Sequence, residues 1–251
     1  MTPSSLDVPV ILVHGWAGSA RSWDSVFPAL RAEGFENVVA VKLPGSPGAT
    51  GHSDFTVRAA ADDVARVAAE SERPPLLVGH SMGAQITLLV HQIMGAALAG
   101  EIVIDPAYGS DSTPAENASW ADRIEIGGHE VVREFFQSAV GHRMPLPDRK
   151  RVLDDVAATP ADVIARYLRS EYAQADSIGL RARTEEAVKR RTRPVLAVHS
   201  TPSAAERESR LWSPEGSRVE VWEGHGHYLH LEDPKRFARS VAAWSDARVT
   251  T

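Results

Sequence analysis

The sequence predicts an α/β fold: a mostly parallel, doubly wound sheet carrying an inserted helical lid. Two observations set the sheet: short β-branched runs alternate with helical periodicity from Val8 to Ile104, and the alternation resumes after Arg193. A third sets the lid, because from Pro106 to Arg193 the apolar residues recur only at helical spacing. Strand and helix in strict alternation imply right-handed βαβ crossovers and a sheet covered on both faces. The 251 residues suit one large domain, with 1–105 and 194–251 as its core and 106–193 as the insertion.

Each element has its own signal. Val8-Pro9-Val10-Ile11-Leu12-Val13 is short and continuously apolar, as a buried strand is. Trp23, Val26, Phe27 and Leu30 follow at i, i+3, i+4 and i+7, one face of a helix. Val38-Val39-Ala40-Val41 is a second strand, and Val57, Ala60, Ala61, Val64, Val67 and Ala68 mark a second helix. Pro75-Leu76-Leu77-Val78 is a third strand, with Ile86, Leu89, Val90 and Ile93 on the helix after it; Ile102-Val103-Ile104 is a fourth. In the insertion, Val131, Val132, Phe135, Phe136 and Val140 form one helical face. Val152, Leu153 and Val156 form another, and Val163, Ile164, Tyr167, Leu168 and Tyr172 a third. Pro145, Pro147 and Pro160 suit helix starts. The last strands are Pro194-Val195-Leu196-Ala197-Val198 and Val219-Glu220-Val221-Trp222. A closing helix carries Phe237, Val241 and Trp244, with Asp233 as its N-cap and Pro234 as its first residue.

Composition excludes several functions. With 27 Lys+Arg against 33 Asp+Glu the net charge is −6, which argues against nucleic acid as a partner, since phosphate binding needs a basic footprint. The absence of cysteine removes disulfides, thiolate nucleophiles and cysteine-based zinc sites. Met1 to Asp7 lacks the basic and apolar regions of a signal peptide. Ile86 to Gly100 is interrupted by Thr87, His91 and Gln92 and is too short to span a bilayer. A soluble cytoplasmic protein with no membrane partner, no cofactor and no metal is expected.

Gly79-His80-Ser81-Met82-Gly83 matches G-x-S-x-G between an apolar strand ending at Val78 and a helix opening at Ala84. So tight a strand-to-helix turn strains the serine backbone, and only small neighbours tolerate the crowding. It presents the Ser81 hydroxyl at the carboxyl end of the sheet, where open α/β sheets bind ligands. The Met82 N–H, at the helix start and free of intrahelical partners, is suited to an oxyanion. In Val13-His14-Gly15-Trp16, at the end of the first strand, Gly15 lets the chain turn so that the Trp16 N–H supplies a second donor. Trp16 then sets an indole beside the substrate. Gly224-His225-Gly226-His227-Tyr228-Leu229-His230 holds three histidines between the last strand and the last helix, without the spacing of a zinc helix. Of these, His227 follows a glycine and precedes Glu232 by five residues, whereas His225 and His230 are expected to bond backbone or face solvent.

These residues resemble the α/β-hydrolase fold superfamily. His14-Gly15-Trp16, Leu43-Pro44-Gly45, the Ser81 motif, and Gly226-His227 with Glu232-Asp233-Pro234 occur in the family's order along nearly the whole chain. The resemblance implies a Ser–His–acid triad with Ser81 as nucleophile and His227 as base. Three departures stand out. The family's leading antiparallel strands look absent or reduced. The loop Val41 to Ser53 is long and carries Lys42 where an acidic residue is common, next to the expected site. The family's usual acid, an Asp after the penultimate strand, is missing: Ser203 stands roughly there, in His199-Ser200-Thr201-Pro202-Ser203-Ala204-Ala205-Glu206. Asp105, at the end of the fourth strand, is the best replacement and Glu206 the alternative; dehalogenases and cofactor-free dioxygenases of the fold carry their acid at the earlier place.

The resemblance therefore implies acyl transfer from an ester, lactone or thioester to water, through an acyl-enzyme. Trp16, Met82 and Tyr108 lie near the sheet side of the expected mouth, with Trp16 and Tyr108 as substrate contacts; Phe135, Phe136, Tyr167 and Leu168 from the lid either line the mouth or pack the lid core. An apolar mouth favours small hydrophobic or aromatic substrates. Two other functions fit the same residues. One is a cofactor-free dioxygenase of a hydroxylated N-heteroaromatic ring, in which a His–Asp dyad deprotonates substrate and Ser81 only hydrogen-bonds. The other is a non-catalytic ligand receptor.

Overall fold

The computed structural model describes residues 7–51 and 53–247. Met1 to Leu6, where no signal peptide was read, and His52 of the long loop lie outside the described residues. Six strands form one sheet: β1 (Val10–Val13), β2 (Val38–Ala40), β3 (Leu76–His80), β4 (Gly100–Ile104), β5 (Val195–His199) and β6 (Arg218–Val221). Their order is β2-β1-β3-β4-β5-β6 and every pairing is parallel. The predicted class is therefore the observed one, and no antiparallel strand joins the sheet among the described residues.

Burial explains the continuous apolar runs. Every residue of β1, β3, β4 and β5 is buried, because both faces are covered and a solvent-facing alternation has no place. On β1, Val10 and Leu12 enter one core and Ile11 and Val13 the other, the period of two that a pleated strand imposes. The first core contains Trp23, Leu30, Phe35, Phe237 and Trp244, from α1 (Phe27–Ala32), α11 (Pro234–Ala247) and adjoining segments. The second is built by α2 (Val57–Ala69) and α3 (Met82–Met94). Asp233 caps α11 as expected, its Oδ1 accepting from Arg236 N–H at 2.9 Å.

The helix expected over Trp23 to Leu30 is instead broken. A 3-10 turn, Ala20–Trp23, opens with a Ser19 capping box, and α1 starts separately with Pro28 in its first turn. Proline has no N–H to extend a preceding helix but sits well at a new start.

Between β4 and β5 the chain makes α4 (Pro114–Gly127), α5 (His129–Ala139), α6 (Leu146–Ala158), α7 (Ala161–Tyr172) and α8 (Arg181–Val188). Three of these were anticipated. The start of α4 is fixed by a Thr113–Glu116 capping box, but its buried positions are Asn117, Ala121 and Ile124, a stripe too small and too polar to announce a helix. Two short helices, α9 (Pro202–Ser209) and α10 (Leu229–Glu232), flank β6. Among the described residues no helix is long and apolar enough to cross a membrane.

Candidate active site

The turn between β3 and α3 is tighter than the sequence suggested: the strand runs to His80 and the helix begins at Met82. Ser81 alone makes the reversal, at φ 54° and ψ −119°, a conformation that L-residues avoid. Added methyl groups show why its neighbours are glycines. A Cβ on Gly79 would collide with the Gly83 carbonyl, and one on Gly83 with the Val13 carbonyl. Gly15 is a third close approach, since its Cβ would lie 3.1 Å from the Ser81 Cβ. That contact brings the loop after β1, and with it Trp16, against the serine. The Met82 N–H opens α3 directly after Ser81 and has no residue a turn earlier in the helix to bond, and Trp16 follows the glycine packed against that serine.

His227 and Asp105 meet directly, with His227 Nδ1–H donating to Asp105 Oδ2 at 2.7 Å. The other carboxylate oxygen, Oδ1, accepts from the Ser200 N–H at 3.0 Å and the Ser200 hydroxyl at 2.9 Å. Burial pushes the Asp105 carboxyl up, but the hydrogen bond and charge of His227 together with Ser200 outweigh it and hold the group below its ordinary value. An ionised Asp105 fixes the proton on His227 Nδ1 and leaves Nε2 as the basic nitrogen. Glu206 is exposed and pairs with Arg210. Ser203 lies exposed on α9; the residue of this segment that reaches the acid is Ser200, which sequence reasoning missed.

His14, His80, His225 and His230 are held by contacts with the surrounding fold. His80 Nε2–H donates to the His227 carbonyl at 3.0 Å and so ties the histidine loop to the Ser81 turn. His14 Nδ1–H donates to the Gly15 carbonyl at 2.9 Å. His225 bonds the Trp222 carbonyl at 3.2 Å, as expected. His230 corrects the expectation: it neither bonds backbone nor faces solvent, but is fully buried. Its ring lies against Trp23, His80 and Phe237, and neither ring nitrogen has a hydrogen-bond partner among the described residues. Desolvation drives the His14 pKa down to about 4 and that of His230 to about 3, and pushes His80 well below its ordinary value.

Ser81, His227, Gly15 and Trp16 line one cavity of about 290 Å³, closed over by Trp120, Phe135, Phe136, Leu168, Glu171 and Tyr172. Of the residues expected either to line the mouth or to pack the lid core, Phe135, Phe136 and Leu168 line this cavity, whereas Tyr167 packs in the core. Tyr108, expected near the sheet side of the site, does not line it. The Tyr167 hydroxyl donates to the Pro44 carbonyl at 2.9 Å, packing α7 onto the Val41–Ser53 loop. None of that loop's described residues lines the Ser81 cavity, and Lys42 is exposed on it. Tyr108 belongs to a buried network in which its hydroxyl donates to Glu208 at 3.0 Å and accepts from Arg191 at 3.0 Å. It borders a second cavity, of about 720 Å³, which reaches Asp105 and His227 from the other side but not Ser81. Size alone favours that cavity; Ser81, Trp16 and the His227 imidazole meet at the smaller one. Trp120, Asn117, Glu171 and Tyr172 were missed, because α4 gave no signal and the stripe of α7 does not say which of its residues faces a cavity.

Comparison with known proteins agrees with this fold. A model of the alpha/beta hydrolase family matches residues 10–240. None of the curated proteins matches the chain by sequence. Solved structures match by shape. A bromoperoxidase from Bacillus anthracis superposes with a TM-score of 0.78 at 18% identity, covering 94% of this chain and 91% of its own. An esterase from Rhodococcus sp. ECU1013 gives 0.75 at 23% identity, covering 97% and 92%. AqDC, whose structure concerns recognition and ring-cleavage of the Pseudomonas quinolone signal, gives 0.75 at 20% identity, covering 98% and 93%. At such identities the likeness speaks for the fold alone. The family model, spanning the sheet from its first strand into α11, says more: this chain belongs to the alpha/beta hydrolase family.

Proposed function

We propose that the protein is a serine hydrolase that cleaves an ester, lactone or thioester of a small hydrophobic or aromatic compound through an acyl-enzyme. One observation carries the reading: the 2.7 Å contact between His227 and Asp105, at the cavity that His227 shares with the strained Ser81. His227 Nε2 takes the Ser81 proton as the hydroxyl attacks the carbonyl carbon. The Trp16 and Met82 amides receive the oxyanion, each contributing on the order of 3 kcal/mol. Asp105 steadies the imidazolium, which then protonates the leaving group and activates water for deacylation. Helices α4, α5 and α7 act as the lid. Trp16 is ringed by Trp120, Phe135 and Phe136 at centroid distances of 5.5, 5.8 and 5.5 Å, an aromatic wall suited to apolar acyl or alcohol groups. The test is labelling with a fluorophosphonate probe alongside turnover of phenyl acetate: both are expected in the wild type and both lost in Ser81→Ala. Undiminished turnover in Ser81→Ala refutes the assignment.

A second reading draws on the place of the acid. Asp105 follows β4 rather than β5 and Trp16 follows β1, the arrangement that suggested a cofactor-free dioxygenase, and AqDC shares the fold. In that chemistry the His227–Asp105 pair deprotonates a hydroxylated N-heteroaromatic ring and Ser81 only hydrogen-bonds. Oxygen uptake with a 3-hydroxy-4-quinolone, persisting in Ser81→Ala, would select it over hydrolysis.

A further inference from the structure

The mechanism above does not use Glu171. This residue of α7 is 2% exposed, yet it lines the Ser81 cavity. Its Oε2 accepts from Gln85 Nε2 at 2.9 Å, and Gln85 also donates to the Ala107 carbonyl at 2.5 Å. Oε1 has no hydrogen-bond partner among the described residues. Among the described residues no lysine or arginine lines this cavity. Burial pushes the Glu171 carboxyl well above its ordinary value. With Oε2 occupied as an acceptor, Oε1 is the position left for a proton, where the acid form would donate into the cavity.

The neighbouring polar wall has spare capacity of the same kind. Asn117 Nδ2 spends both hydrogens, on Ser112 Oγ at 2.8 Å and on the Thr113 carbonyl at 2.9 Å. Ser110 Oγ accepts from the Ser112 N–H at 3.1 Å, and the two hydroxyls bond each other at 2.8 Å. Only one hydroxyl proton is needed for that last bond. One serine proton and the Asn117 Oδ1 lone pairs are therefore left over beside the same cavity. This wall is continuous with Glu171: the Ser110 N–H bonds the Gly179 carbonyl at 2.9 Å, and the Gly179 N–H bonds the Glu171 carbonyl at 3.1 Å. Facing it is the aromatic wall of Trp16, Trp120 and Phe136.

We propose that Glu171, with Ser110, Ser112 and Asn117, forms a hydrogen-bonding subsite that selects substrates bearing an uncharged polar group, such as a ketone, ether or ring nitrogen, on an otherwise aromatic or alkyl body. The inference rests on reading this cavity as the substrate site. A ligand lacking the polar group leaves buried donors unpaired, a loss of about tenfold to a hundredfold in affinity.

The test uses ligands that are not esters, so that binding is read without turnover. Isothermal titration compares 4-hydroxyacetophenone, 4-ethylphenol and tyramine on the whole protein. The wild type is expected to prefer the ketone to 4-ethylphenol by about tenfold or more. Glu171→Gln, whose amide still donates, is expected to keep that ratio within about threefold; Glu171→Leu is expected to bring it close to one. A wild-type ratio near one overturns the proposal whether or not the leucine variant folds. So does a ratio that Glu171→Leu leaves intact, or a preference for tyramine that Glu171→Gln abolishes, which would mark an ionised cation site. A flat ratio with Ser81-dependent ester turnover removes this inference alone. The expected ratio with turnover surviving in Ser81→Ala removes the hydrolase reading alone.

Discussion

Three non-glycine residues among those described hold a positive φ: Ala17 at 51°, Ser81 at 54° and Asp105 at 41°. Each such position costs roughly 1–3 kcal/mol, and each borders the proposed chemistry, Ala17 being next to Trp16. Strain concentrated there is held by surrounding bonds, and for Asp105 those bonds come from His227 and Ser200. Asp105→Asn is expected to lower kcat by about 10⁴-fold, with far-UV circular dichroism and Tm close to wild type; a rate near wild type would remove Asp105 from the triad. Ser200→Ala deletes one of two donors to Asp105 Oδ1. It is expected to lower kcat about tenfold with little change in KM. A fall through KM alone would mean that Ser200 serves substrate binding instead. The partner of Asp105 was beyond sequence reasoning because Ser200 and Asp105 meet only through the pairing of β4 with β5.

Packing between elements sets the site as firmly as its side chains do. Gly83 in the first turn of α3 lies against the backbone of β1, so Gly83→Ala sets a helix-propensity gain of up to about 1 kcal/mol against a collision with the Val13 carbonyl. Overpacking of about 1–3 kcal/mol wins. The variant is expected to unfold at lower urea and to lose activity further, as the Trp16 amide is displaced; an unchanged urea midpoint would show that β1 and α3 part freely. The central strands, the serine turn and the Asp233 cap were legible because each is a local pattern with a local cause. The helical stripe of α7 was legible too, but not its use. Val163, Ile164, Tyr167 and Leu168 are all buried, and only tertiary contacts send Tyr167 to Pro44 while Leu168, Glu171 and Tyr172 meet the cavity. The breadth of that stripe hid the difference.

Over the whole molecule, buried histidines link folding to acidity. His14, His80 and His230 all have depressed pKa values when folded, against about 6.5 unfolded. As pH falls below about 6.5 the unfolded chain takes up protons that the folded chain refuses, so stability declines toward pH 4 for His14 and pH 3 for His230. The slope approaches about 1.4 kcal/mol per pH unit for each histidine. Urea midpoints are expected to drop steeply between pH 6.5 and 4.5, and more gently in His230→Leu, which removes one such group; an unaltered slope would exonerate His230. The sheet also divides the proposed triad unequally. Ser81 and Asp105 follow adjacent strands, and the Ser81 N–H bonds the Ile104 carbonyl at 3.0 Å while the Ala107 N–H bonds that of Ser81 at 3.2 Å. Nucleophile and acid are thereby riveted to one frame. The imidazole hangs from a connecting segment, secured chiefly through His80 and Glu232. Gentle heating should therefore silence the catalyst by loosening that tether while the scaffold still stands, a dormancy reversed on cooling.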